Sequence, residues 1–266
     1  MLTELQQWAS EQFARGCRSE DMLQTLLDAG HSTSVANRVV WGELDDSTSG
    51  SAMGGEEFLN CENLNAHHLL SMQEPCIHLF QNILSSEECD TLIELARARL
   101  VNSLVLDPDS GMFREDSGRL SHCAHFRKAD DPLVDTLQKR IELILGHRLE
   151  SQEPLQIVRY SVGGEYTAHY DYFDPDLPGS ENILKNGGQR IATCIFYLNT
   201  VKAGGGTVFP KAKWLRARAI QGNAVYFRNV KSDGRVDTET LHAGEPVTEG
   251  EKWLAVQWIR SEKYGE

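Results

Sequence analysis

The sequence predicts an α+β protein in which helices pack on one face of a β-sandwich or barrel. Two observations lead there. Amphipathic helical patterns occupy 85–100 and 130–146, and seven short β-like runs punctuated by Gly and Pro follow from 155 to 260. A third observation adds a small helical module at residues 1–44, where apolar residues recur at helical spacing.

In the module, Leu2, Leu5 and Trp8 mark a first helix. A second starts at Ser19, with Glu20 and Asp21 at the positive end of its dipole, and stops at Gly30. A third starts near Ser34 and buries Val35, Val39 and Val40. Three short helices of this size resemble ubiquitin-associated modules, and a protein ligand or a plain packing appendage both fit. Residues 45–75 are expected to be a flexible linker, because DDSTSGSAMGGEE at its start is too polar and Gly-rich to bury surface. The main domain is expected over 76–266. CIHLF (76–80) reads as a strand. SSEECDTLIELARARL carries Leu92, Leu95 and Ala96 on one side, and DDPLVDTLQKRIELILG has Asp131 as N-cap, Pro132 in its first turn and Gly146 as its stop. The later runs are LQIVRY, EYTAHYDY, RIATCIFYL, GTVFP, NAVYF, ETLHAG and KWLAVQWIR. The polar stretches 110–122 and 176–188 read as loops beside them, placed to close over a ligand.

Composition narrows the function classes. A net charge of −13 opposes nucleic acid as the main partner, since phosphate binding needs clustered Lys and Arg. No run of 18 apolar residues exists, so no membrane partner is expected. The start, MLTELQQWASEQ, has neither the basic nor the apolar region of a secretion signal. Six dispersed cysteines without a CxxC pair are therefore expected to be reduced thiols of a cytoplasmic protein.

Three features carry chemistry. In GGEYTAHYDYFDP, His169 and Asp171 are two apart on a strand-like run, so both point to one face. Imidazole plus carboxylate suits ferrous iron. In TLHAG, His242 offers a second imidazole, and two His with one carboxylate leave coordination positions open; a lone His of this kind is commonly a satisfied core residue. In GEKWLAVQWIR, Lys252 shares a face with Leu254, Val256 and Trp258. If that face is inward, a buried cation needs an anion; if Lys252 sits at a strand end, it reaches solvent. On ligand type alone a zinc hydrolase also fits.

HYDYFDP, GGQRIATCIFYLN, AGGGTVFP and TLHAG followed by GEKW occur in this order. Together they resemble the plant and algal type of prolyl 4-hydroxylases, from about Cys76 to Arg260. The resemblance implies a double-stranded β-helix (jelly-roll) core and an Fe(II)- and 2-oxoglutarate-dependent dioxygenase, with O2 as cosubstrate and ascorbate as a further ligand. It implies iron ligands at His169, Asp171 and His242. Lys252 would pair with the distal carboxylate of 2-oxoglutarate, with Tyr160 and Thr207 as hydroxyl partners. Tyr166, Arg190 and Trp258 would line a peptide groove, and Thr193 and Tyr197 the pocket wall; Arg260 stands where algal-type relatives carry a His. The implied activity is 4-hydroxylation of proline in a peptide or protein, with release of succinate and CO2. Two other readings are weighed beside it. One is a dioxygenase of the same fold acting on another side chain or a small molecule; the other is a non-catalytic binding or scaffold protein working through residues 1–44.

Overall fold

The computed structural model describes residues 19–31, 66–106, 112–114 and 118–265, together with Leu5, Trp8, Gln12, Val35 and Val39. The chain divides into two compact units, Met1–Glu57 and Phe58–Glu266.

In the first unit, helix α1 spans Ser19–Asp28, and Gly30 takes a left-handed φ of 86° just beyond it. Glycine adopts that conformation without the Cβ penalty, which is why the helix stops where the sequence places its stop. Met22, Leu26 and Val39 are buried together, with Leu5, Trp8 and Val35 against them. Leu5, Trp8, Val35 and Val39 are helical, as the spacing predicts. The other residues of the first and third expected helices lie outside the described residues.

The second unit opens earlier than expected. Strand β1 (His67–Met72) pairs antiparallel with β2 (Ile77–Gln81), so the stretch expected to link the two units contributes a strand to the main sheet. Its exposed HHLLSM sequence lacks the alternation that marks a half-buried strand. Helix α2 (Ser86–Arg97) follows, its start fixed by a reciprocal capping box between Ser85 and Glu88. Cys89, Leu92, Ile93 and Ala96 are its buried stripe; Leu95, expected on that stripe, lies only half-buried beside it.

Three short strands come next, β3 (Val101–Asn102), β4 (Val105–Leu106) and β5 (Phe113–Arg114), followed by β6 (His122–Phe126). Helix α3 (Pro132–Leu145) has the Asp131 cap, first-turn Pro132 and left-handed Gly146 that its sequence announces. The remaining elements are β7 (Leu155–Tyr160), β8 (Tyr166–His169), a short helix α4 (Ser180–Leu184), β9 (Arg190–Tyr197), β10 (Ala203–Gly204), β11 (Thr207–Phe209), β12 (Leu215–Ala217), β13 (Ala224–Arg228), β14 (His242–Gly244), β15 (Val247–Glu249) and β16 (Lys252–Arg260). Two of these sit in the expected loops: β5 in 110–122, part of which lies outside the described residues, and α4 in 176–188.

An eight-stranded sheet runs β1-β2-β13-β9-β16-β7-β6-β3, and a four-stranded sheet runs β12-β11-β14-β8. Every recorded strand pairing is antiparallel. The two sheets face each other across a core that includes Tyr197, Val256 and Phe227 from the large sheet and Phe209 and Ala217 from the small one. Phe209 meets Phe227 edge-on at 5.2 Å. Burying each such ring contributes roughly 1.5–3 kcal/mol. Alternation along β9 sends Thr193, Ile195 and Tyr197 towards the second sheet and Cys194 and Phe196 to the face where α3 packs. Two facing antiparallel sheets with helices on one outer face make a double-stranded β-helix, the jelly roll implied by the sequence motifs. Cys89, Cys123 and Cys194 are free thiols. Among the described residues no helix is long and apolar enough to cross a membrane.

Candidate active site

Strands β8 and β14 are neighbours, and their register sets His242 directly opposite His169. Two imidazoles thus come from one rigid pair of backbones, with ring centroids 4.3 Å apart. Asp171 lies on the bend just past the end of β8, not on the strand as the alternation argument has it. The bend still turns its carboxylate between the rings: Oδ1 is 3.7 Å from His169 Nε2 and Oδ2 is 3.6 Å from His242 Nε2. One ligand atom from each of the three residues lies within 4.8 Å of the others.

The orientation of each ring is set by its own chain. His169 Nδ1 is 2.8 Å from the Thr167 carbonyl and His242 Nδ1 is 3.0 Å from the Thr240 carbonyl. A carbonyl only accepts, so Nδ1 carries the proton in both rings and the Nε2 lone pairs are left facing Asp171. Burial, reinforced by His242, pushes His169 down to about 3, which keeps the ring neutral. Burial alone would raise Asp171, but the two imidazoles, Arg190 and a hydrogen bond from Thr193 hold its carboxyl below the ordinary value. Thr193 donates to Asp171 Oδ2 at 2.8 Å and accepts from Asn229 Nδ2 at 2.9 Å. Phe209 and Phe227 wall off His242. Two imidazoles and an ionised carboxylate with open space beyond them form the donor set that fits ferrous iron.

The same cavity, about 870 Å3, extends to Lys252. Lys252, Leu254, Val256 and Trp258 all line it, so the alternating face of β16 is the inward one. The ammonium is 2% exposed and lies 5.3 Å from the Tyr160 ring and 6.0 Å from the Tyr197 ring. No ion pair reaches it among the described residues, and burial lowers its pKa to about 7, opposed only by the charge of Glu245. Space around it is kept by glycine. A Cβ on Gly205 would lie 3.4 Å from the Lys252 stem, and one on Gly204, whose φ is 72°, would lie 2.1 Å from the Pro246 carbonyl oxygen. Thr207 accepts a 2.8 Å hydrogen bond from the Tyr197 hydroxyl, and Tyr160 sits opposite Lys252 in the β7–β16 register. A buried cation with hydroxyls beside it fits one end of a dicarboxylate.

The other wall is built from Tyr166, Arg190, Trp258 and residues without a sequence signal. Tyr166 stacks on His169 at 3.7 Å, and Arg119 covers the outer face of Tyr166 at 4.8 Å. Arg190 lies over Trp258 at 3.9 Å and holds Glu153 through both carboxylate oxygens, at 2.7 and 2.9 Å. Arg260 reaches the same carboxylate at 2.8 Å. Burial would raise Glu153, but the charge of Arg190 and its hydrogen bonds keep it ionised. Glu153 and Arg119 lie outside the named strands and helices, with no periodicity to read. The charged residue in QEP just ahead of an apolar strand was the sole hint of the first.

The sequence pattern described as the 2OG-Fe(II) oxygenase superfamily matches residues 155–260, which hold every ligand candidate above. The chain is 34% identical over 209 residues to prolyl 4-hydroxylase 5 of Arabidopsis thaliana, covering 72% of this chain and 70% of that one. The chain belongs to the prolyl 4-hydroxylase family. It is also 36% identical over 189 residues to prolyl 4-hydroxylase subunit alpha-1 of Gallus gallus, covering 70% of this chain and 36% of that one. Among solved structures it is similar to the viral collagen prolyl hydroxylase of Paramecium Bursaria Chlorella virus-1 in complex with 2OG. That likeness has a TM-score of 0.54 and 31% identity, over 69% of this chain and 95% of that one. As a member of this family the protein is a 2-oxoglutarate-dependent dioxygenase that uses Fe(II), 2-oxoglutarate and O2. The zinc-hydrolase reading falls with this membership.

Proposed function

We propose that the protein hydroxylates proline at its 4-position within a peptide or protein. The observation that carries this is one cavity joining a His–Asp–His triad to a buried lysine without an ion-pair partner among the described residues. The triad alone would suit other metals, and the lysine alone would be a costly oddity. Iron, 2-oxoglutarate and O2 supply the oxidising chemistry that places a hydroxyl on an unactivated C–H and releases succinate and CO2.

The chain's own residues bind and orient. His169, Asp171 and His242 hold the metal, with Thr193 steering the carboxylate. Lys252 fixes the distal carboxylate of 2-oxoglutarate, supported by the Tyr160 and Thr207 hydroxyls. Val158, Ile195 and Leu254 line the cavity and exclude water from that end. Tyr166, Arg190 and Trp258 form the peptide side, where flat aromatic surface and rigid guanidinium planes suit an extended, proline-containing backbone.

Anaerobic addition of Fe(II) and 2-oxoglutarate tests the first half through the visible charge-transfer band of the chelate. Admission of O2 with proline-containing peptides, followed by succinate and hydroxyproline assays, tests the second. Succinate release that no proline peptide stimulates would move the substrate to another side chain or a small molecule.

A further inference from the structure

Among the described residues, the charges lining the cavity do not balance. At the metal end they do: Fe(II), the Asp171 carboxylate, doubly ionised 2-oxoglutarate and the Lys252 ammonium sum to zero. The charged groups that remain on the lining are Arg119, Arg190, Arg260, Glu153 and Asp174. His125, the other titratable ring there, is lowered by burial and stays neutral, its Nε2 2.8 Å from Gln156 Nε2.

Arg190 and Glu153 cancel as a bidentate pair. Arg260 shares that single carboxylate and otherwise donates to the Gly188 carbonyl. One positive charge is therefore left over at this cluster, held on a residue only 3% exposed. Arg119 is less compensated still. Its guanidinium donates to the Leu104 carbonyl at 3.0 Å and to Gln156 Oε1 at 2.8 Å, both uncharged acceptors, and Nε has no hydrogen-bond partner. No carboxylate pairs with Arg119 among the described residues. Asp174, the second acid of the lining, is exposed and accepts from the Asp176 N–H. Guanidiniums do not lose their charge in proteins. A positive interior on a chain of net charge −13 is the reverse of what composition alone would place there.

We infer that the substrate is acidic: an Asp or Glu carboxylate beside the target proline is received by Arg119, with the excess charge of Arg260 adding to the field. This rests on the proline reading and sets the class of peptide it acts on. The carboxylate would complete the one guanidinium among the described lining residues that lacks an acid, and it would do so next to Tyr166 and hence next to the metal-binding His169.

The test uses the full chain with Fe(II), 2-oxoglutarate and three peptides that differ only in whether Glu, Gln or Lys flanks a single proline. Hydroxyproline formation gives kcat/KM for each. The Glu peptide is expected to exceed the Gln peptide by about tenfold, the effect of one partly buried charge pair, with the Lys peptide lowest and the spread shrinking as salt is raised. Arg119→Gln should bring the Glu-to-Gln ratio close to one, and Arg119→Lys should restore part of it. Binding of 2-oxoglutarate to each variant checks that the site is still assembled. Equal values for Glu and Gln peptides in the wild type, or an unchanged ratio in Arg119→Gln, would overturn the inference and leave proline hydroxylation standing. No hydroxyproline in any of the peptides would overturn both.

Discussion

Replacing Lys252 by Met should make the metal-free protein more stable and its cosubstrate binding far worse. The ammonium is buried beside Tyr160 and Tyr197, with no ion-pair partner among the described residues, and its pKa falls from 10.5 to about 7. At 1.36 kcal/mol per tenfold change in acidity, the charged form costs up to about 5 kcal/mol in the folded chain. The folded value lies below the unfolded one. The cost is therefore present in full below pH 7 and is relieved as pH rises towards 10.5. Wild-type stability should climb across that window, and Lys252→Met should remove the climb and raise stability at pH 7. Binding moves the other way. A carboxylate left unpaired in this apolar wall costs about 3–5 kcal/mol, so 2-oxoglutarate affinity should fall by a factor of at least about a hundred. Denaturant melts of metal-free protein at pH 7 and 10 read the first effect, and anaerobic titration of the Fe(II)–2-oxoglutarate band reads the second. A variant that is less stable at pH 7, or that binds 2-oxoglutarate within about threefold of wild type, would refute the reasoning.

Other perturbations separate support from ligation. Thr193→Val keeps the volume but deprives Asp171 of a donor and Asn229 of an acceptor, so iron affinity should drop about 10–100-fold in an Fe(II) titration; unchanged affinity would mean Asp171 needs no steering. His78 and His147, on the sheet face away from the cavity, are pushed down to about 4 by burial, below their ordinary 6.5. Their contribution is present above pH 6.5 and lost as pH falls towards 4, so each should cost about 2 kcal/mol between pH 7 and 5. Urea midpoints at the two pH values measure the sum, and His147→Phe should remove about half of it.

What could be read in the sequence was what repeats at a short period or recurs in a fixed order. The caps of α2 and α3 and the strands β7, β9, β13 and β16 carry their signals within ten residues. His169 shows through its spacing of two from Asp171, His242 through TLHAG in its place in the motif order, and Lys252 because it opens an otherwise apolar run with a charge. Several strands carry no such signal, four of them for plain physical reasons. β1 is an exposed edge with polar residues on both faces, and β3, β4 and β5 are too short for any alternation to register. Glu153 and Arg119 matter through partners 37 residues away in each case, Arg190 and Gln156, and no local pattern encodes such a pairing. The spacing of two marks Asp171, but its face is set by the bend after β8 and by Thr193, not by strand alternation.

Each imidazole of the triad is turned by a carbonyl two residues back along its own chain. The ion therefore finds its cage standing and does not have to build it. An enzyme made this way spends little of the ion's binding energy on turning its two rings.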